Sequence, residues 1–159
     1  MTAMLQQILE STLAGRHVRA WTSFGMPVFE IERGELANVA TLLRDAHGFD
    51  LLLDVTAVDH IGQEPRFELV VHLYSPALHQ RVRLKAPVPE GDAVVPTLTT
   101  LYGSARFLER EAHEMFGIRF EGNADLRPIL LYEGFVGHPL RKDYPMEREQ
   151  PIVEYRTQP

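Results

Sequence analysis

Glu109, Glu111, His113 and Glu114 lie within one short helix-forming stretch of the chain. Carboxylates and an imidazole are the groups that carry general acid–base catalysis and hold metal ions. Glu109 and His113 are spaced i, i+4, so on a helix both could reach one ion, with His138 and Asp143 available to complete the set. A helical pair of this kind is more commonly solvated or part of a protein interface, and that is the reading adopted. Turned at about 100° per residue, the stretch places Leu108, Ala112, Met115 and Phe116 on one apolar stripe, which Phe107 extends. Glu111 falls inside that stripe, Arg106, Glu109, Arg110 and His113 on the opposite side, and Glu114 at the border. A carboxylate on an apolar face is costly unless a cation or several donors meet it. Glu111 is therefore either a general acid/base with a raised pKa or a buried anchor paired to Arg127 or Arg141. With no nucleophile and no metal set beside it, the anchor is the expected role.

The remaining motifs point away from bond-making. Residues 106–146 are dense in both signs of charge yet threaded with Phe, Leu, Ile and Met, a mixture suited to a surface that buries against another protein. Gly134-Phe135-Val136-Gly137-His138-Pro139 is followed by no clear helix N-terminus. Its glycines are expected to permit a turn that packs Phe135 and Leu140, not to cradle phosphate. Arg141-Lys142-Asp143-Tyr144-Pro145 makes a weak anion site, because Asp143 flanks the basic pair, and an interchain salt-bridge set fits it better. His60, His72 and His79 lack regular spacing and read as structural or surface residues. The 159 residues contain no cysteine, which removes disulfides, thiolate catalysis and self-supplied iron–sulfur ligation and fits a cytosolic setting. A net charge of -6 argues against nucleic acid.

These residues must be positioned by one domain of ordinary composition, 45% hydrophobic and 24% charged. Met4, Leu5, Ile8, Leu9 and Leu13 fall at helical spacing before Gly15, so the start reads as a first helix and not a signal peptide. Residues 18–21 and 26–31 are β-type runs around a turn at Ser23-Phe24-Gly25. Residues 35–47 form an amphipathic helix closed by Gly48. Residues 51–58 are almost continuously apolar and predict a central strand. Residues 67–74 predict another strand, and residues 81–86 alternate as a strand with one wet face. Residues 93–102 read as a weak helix or turn, and a further helix runs from Ser104, its expected N-cap, to Gly117. Beyond Phe120 no long period survives, and Pro128, Pro139, Pro145 and Pro151 fix the backbone locally. The expected fold class is α+β: two layers, a mixed, mostly antiparallel sheet with helices on one face. A globular domain, 1–120, is expected to precede an extended partner-docking segment and tail, 121–159, with 145–159 ordered only on a partner or not at all. No run approaches the roughly 18 apolar residues of a membrane span.

The stretch EREAHEMFGIRFEGNADLRPIL followed by GHPLRKDYP resembles the signature of the 30 kDa subunit family of bacterial NADH–quinone oxidoreductase, respiratory complex I. Glu109, Arg110, Glu111, Glu114, Met115, Phe116, Arg127, Ile129 and Leu130 match the family pattern. Asn123 stands where the family usually has His or Lys, His113-Glu114 replaces an aromatic-Asp pair, and Phe107 sits near the usual Trp. DVTAVDH, RFELVVHLYS and the VPT-containing stretch before Phe107 extend the likeness upstream. Many members run on further at the C-terminus, so contacts made by that extension are expected to be absent or supplied elsewhere.

The resemblance implies a structural and assembly role without catalytic residues of its own. FMN, iron–sulfur clusters and the quinone site are expected in the other subunits of complex I. The implied neighbour is the quinone-site protein that resembles a hydrogenase large subunit, in the peripheral arm on the cytoplasmic side of the bacterial inner membrane. Glu109, Arg110, Glu111, Glu114, Phe116, Arg127, His138, Pro139, Arg141, Lys142, Asp143 and Tyr144 are the implied structural and interface residues. The same module occurs in membrane-bound hydrogenase and formate hydrogenlyase complexes, which form the nearest rival. A hydrolase or metal enzyme built on Glu111, His113 and His138, and a regulatory interaction module, are the alternatives of other classes.

Overall fold

The structure, a computed structural model, describes residues 2–147. Helix α1 (Thr2–Thr12) is followed by the hairpin β1 (Arg19–Ser23) and β2 (Met26–Glu30). Helix α2 (Leu36–His47) leads to three long strands, β3 (Leu51–Asp59), β4 (Phe67–Ser75) and β5 (Gln80–Val88). The short strand β6 (Val94–Pro96), helix α3 (Ala105–Phe116) and the short strand β7 (Arg119–Glu121) complete the regular elements. The hairpin and the long strands form a five-stranded sheet in the order β1-β2-β5-β4-β3. It is mixed: β2 and β5 run parallel and the other neighbours antiparallel, as expected for an α+β fold.

Alternation along β5 buries Val82, Leu84, Ala86 and Val88 against the helices. Leu9 and Leu13, Leu36, Val39 and Leu43 from α2, and Ala112, Met115 and Phe116 from α3 close the same core. Gly48 takes a left-handed φ of 64°, and its N–H bonds to Arg44 O to end α2.

Three expectations require correction. The apolar run at residues 51–58 is an edge strand, and the alternating β5 occupies the centre. The core packs on one sheet face, so even the central strand alternates, while Leu51, Leu53 and Val58 keep exposed side chains. Leu53 sits at the register shift between Leu52 and Asp54, which explains how consecutive leucines fit the edge. Of residues 93–102, expected as helix or turn, 99–101 are a turn, but Val94–Pro96 is a strand that pairs in parallel with Arg119–Glu121, both too short to show a period. Ser104 does stand at the N-cap of α3 but makes no capping bond; its hydroxyl donates to Leu52 O at 3.2 Å.

Candidate docking site: the third helix and the strap that closes it

Helix α3 buries the face carrying Ala105, Glu109, Ala112 and Phe116, spaced four, three and four residues apart. Glu109 is the buried carboxylate, 0% exposed, and Glu111 is exposed. Including the solvent-facing Phe107 in the stripe and leaving out Ala105 rotates the expected face away from Glu109 and toward Glu111. Neither Arg127 nor Arg141 meets Glu111: Arg127 holds Asp125 through two 2.8 Å contacts, and Arg141 serves a helix carbonyl.

Three neutral donors meet Glu109. Leu98 N donates to Oε1 at 2.6 Å, and Thr97 Oγ1 and Asn123 Nδ2 donate to Oε2 at 2.7 and 2.9 Å. Burial pushes the Glu109 pKa up against the opposing pull of these donors. Asn123 Oδ1 accepts the Asp125 N–H at 3.0 Å, which orients its amide toward Glu109. Glu109 thus ties α3 to the turns after β6 and β7.

The chain after β7 folds back along α3 as a strap. Arg110 donates to the carbonyls of Arg127 and Pro128 at 2.8 and 2.7 Å. Glu114, also buried, accepts the N–H groups of Ile129, Leu130 and Leu131 at 3.3, 2.9 and 2.9 Å. One arginine and one carboxylate of the helix therefore satisfy five consecutive strap residues, 127–131.

The last four carbonyls of an α-helix have no partner inside it. Here the strap supplies three of the four. His113 O receives Gly117 N at 2.7 Å, Glu114 O receives His138 Nδ1 at 2.9 Å, and Met115 O receives Leu140 N at 3.2 Å. Phe116 O receives Arg141 Nε at 2.7 Å. Gly117 makes this possible, with a φ of 79° and no side chain. A Cβ there would lie 2.5 Å from Arg141 Nη2 and 2.7 Å from His138 Nε2. Pro139, half-buried, separates His138 from Leu140 and Arg141, the three residues that deliver the caps.

The strap ends on a buried ion cluster. Arg66, 5% exposed, pairs with Asp59 through Nε and Nη2, both at 2.8 Å. It also meets Glu90 at 2.6 Å and Asp143 at 2.8 Å. Lys142 N donates to Asp59 Oδ2 at 2.7 Å. The hydrogen bonds from Arg66 hold the Asp59 and Asp143 carboxyls below the usual range. Arg66 and Arg141 each place a guanidinium 5.1 Å from the Phe67 ring centroid. The Arg141–Asp143 set thus forms a latch within the chain. Tyr144 stacks on Phe135, centroids 6.0 Å apart, and Phe135 meets Tyr132 edge-on; Leu140, expected to pack with Phe135, is exposed.

Among the described residues the acid–base and metal candidates do not converge on one point, although His113 and His138 line the same cavity. Glu109 faces Thr97 and Asn123, His113 Nδ1 donates to Ile118 O at 2.9 Å, and Asp143 is taken by Arg66. Among the described residues no group of three or more His, Asp or Glu could hold a metal ion. His72 accepts from Arg83 Nε at 2.8 Å, in line with a structural role. The residues missed in sequence are Asp59 and Arg66, whose partners lie far along the chain, and Thr97. The strap backbone is engaged inward, while Leu130, Val136, Leu140 and Met146 present exposed apolar side chains. The expected tail beyond residue 147 lies outside the described residues.

A family profile described as "Respiratory-chain NADH dehydrogenase, 30 Kd subunit" matches residues 29–150. An NADH-quinone oxidoreductase subunit of Citrifermentans bemidjiense is 45% identical over 74% of this chain and 73% of its own. The subunit of the same description from Rhodopseudomonas palustris (strain TIE-1) is 40% identical over 89% of this chain and 70% of its own. Among solved structures, "Nqo5 of the trypsin-resistant fragment (1-134)" superposes with a TM-score of 0.66 at 33% identity, over 79% of this chain and all of that one. A chain of the archaeal membrane-bound sulfane sulfur reductase shares the fold, with a TM-score of 0.79 at 24% identity over 98% of both chains. The relatives are subunits of an oxidoreductase complex, and this chain belongs to the respiratory-chain NADH dehydrogenase 30 kDa subunit family.

Proposed function

We propose that this chain is a non-catalytic assembly subunit in the peripheral arm of a proton-translocating NADH–quinone oxidoreductase. It packs against the quinone-site protein that resembles a hydrogenase large subunit, and it supports electron transfer from NADH to quinone. The strap is the docking element, and partner subunits hold FMN, the iron–sulfur clusters and the quinone site. The complex places it on the cytoplasmic side of the inner membrane; among the described residues no helix is long and apolar enough to cross a membrane. The observation that carries the reading is the division of labour in the strap. Its backbone is spent on α3 and Asp59, which leaves the exposed Leu130, Val136 and Leu140 held rigidly for a partner.

The test is mild-detergent purification of the tagged chain from its own host, followed by mass spectrometry. Recovery of NADH-binding, cluster-bearing and membrane-arm subunits in equal amounts is expected. A nickel-bearing large subunit without the NADH module would move the chain to a hydrogenase-type complex, and recovery of the chain alone would overturn the proposal.

A further inference from the structure

A cleft of about 500 Å³ opens between the outer side of α3 and the turns that follow β6 and β7. Thr99, Arg106, Phe107, Arg110, Asn123 and Asp125 are among its lining residues. It lies apart from the strap's exposed apolar residues, and its role stands independently of the strap reading.

The cleft is positive in a chain of net charge -6. Arg106 is exposed, and its guanidinium makes no ion pair or hydrogen bond among the described residues. Arg110 spends two N–H groups on neutral carbonyls, and Asp125 is the nearby carboxylate that feels its charge. The carboxylates close by are already engaged: Asp125 by Arg127, and Glu109 by three donors behind Asn123. Phe107, 57% exposed, adds an apolar wall.

Backbone donors for a phosphate are largely committed. Thr99 N bonds Thr97 Oγ1, Asn123 N bonds Phe120 O, and Asp125 N bonds Asn123 Oδ1. A phosphate would lack the ring of free N–H groups that such sites use. A side-chain carboxylate needs only a guanidinium fork. We propose that this cleft takes an acidic peptide segment of a partner protein, with a carboxylate on Arg106 and an apolar side chain against Phe107.

The test titrates the full chain with a short fluorescently labelled peptide of alternating Glu and Leu, read by anisotropy. The same peptide with Gln for Glu, and ATP, serve as comparison probes. The Glu peptide is expected to bind, with the Gln peptide weaker by about tenfold or more. Arg106→Gln and Phe107→Ser should each weaken binding by about tenfold while leaving the melting temperature unchanged, since both side chains are exposed. Binding should also fade as added salt shortens the screening length. Equal affinity for both peptides, ATP binding that Arg106→Gln abolishes, or no binding of the Glu peptide would each overturn the proposal. None of these outcomes alters which subunits co-purify, so failure here is separable from failure of the assembly reading.

Discussion

His138 reaches back 24 positions to donate its Nδ1 proton to the carbonyl of Glu114 at 2.9 Å, so the strap finishes a helix it does not belong to. Burial and the neighbouring Arg141 and His113 charges lower the His138 pKa from its ordinary 6.5, outweighing the carbonyl bond. The folded state therefore favours neutral imidazole. The stability this shift contributes is present above pH 6.5 and is lost as pH falls through the depressed folded value. Hydrogen exchange at residues 138–141 should accelerate between pH 7.5 and pH 5 beyond its intrinsic trend. His138→Ala should remove that dependence and cost about 1–2 kcal/mol.

Arg66 carries the far end of the latch. Its side chain is almost fully buried beside a carboxylate, Asp59, that has no exposed surface. Arg66→Ala leaves that carboxylate uncompensated and should cost about 3–5 kcal/mol in urea melts at pH 7. The depressed Asp59 pKa contributes stability that is present above its ordinary 3.8 and lost as pH falls through the folded value. Asp59→Asn should therefore flatten acid unfolding of the domain. Asp143→Asn, at the half-exposed end of the cluster, should loosen the strap with little effect on global stability.

The helices, the hairpin and the three long strands were legible because each repeats an apolar pattern over enough residues to reveal its period. Sheet order was not: a run such as Leu51-Leu52-Leu53 looks central, yet Leu51 and Leu53 face outward on an edge strand. The carboxylate was misplaced for a related reason. Ala105 is too small to mark a buried face, whereas Phe107 marks one it does not occupy. The strap resisted sequence reading because its bonds are long-range, single and paired by no period, as between Lys142 N and Asp59. Arg141 also has a role within the fold. It caps α3, so its charge reversal should damage the fold, and Leu130→Asp is the cleaner probe of assembly. That variant should melt like the wild type yet fail to co-purify partner subunits.

Gly117 leaves no room for a side chain between helix and strap. Ala there must adopt an unfavourable positive φ and also push Arg141 and His138 away. The backbone term alone costs about 1 kcal/mol, and loss of two carbonyl caps adds to it. Gly117→Ala should lower the melting temperature and expose residues 138–143 to limited proteolysis. An unchanged digestion pattern would show that the strap is not anchored through this contact.

Glu109 and Glu111, two positions apart, should behave oppositely. Glu109→Ala strands three buried donors and should cost about 3 kcal/mol; Glu111→Ala, at an exposed position, should stay within about 0.5 kcal/mol. Asn123→Ala removes one of the three contacts and should fall between them. The raised Glu109 pKa fixes the sign of its pH dependence. Its linkage contribution is present below the ordinary 4.5 and is lost as pH rises through the folded value. Wild-type stability should therefore decline across that interval by an amount absent from Glu109→Gln, which does not titrate. Parallel denaturation curves for the two proteins at pH 4 and pH 8 would show instead that the three donors fully offset burial.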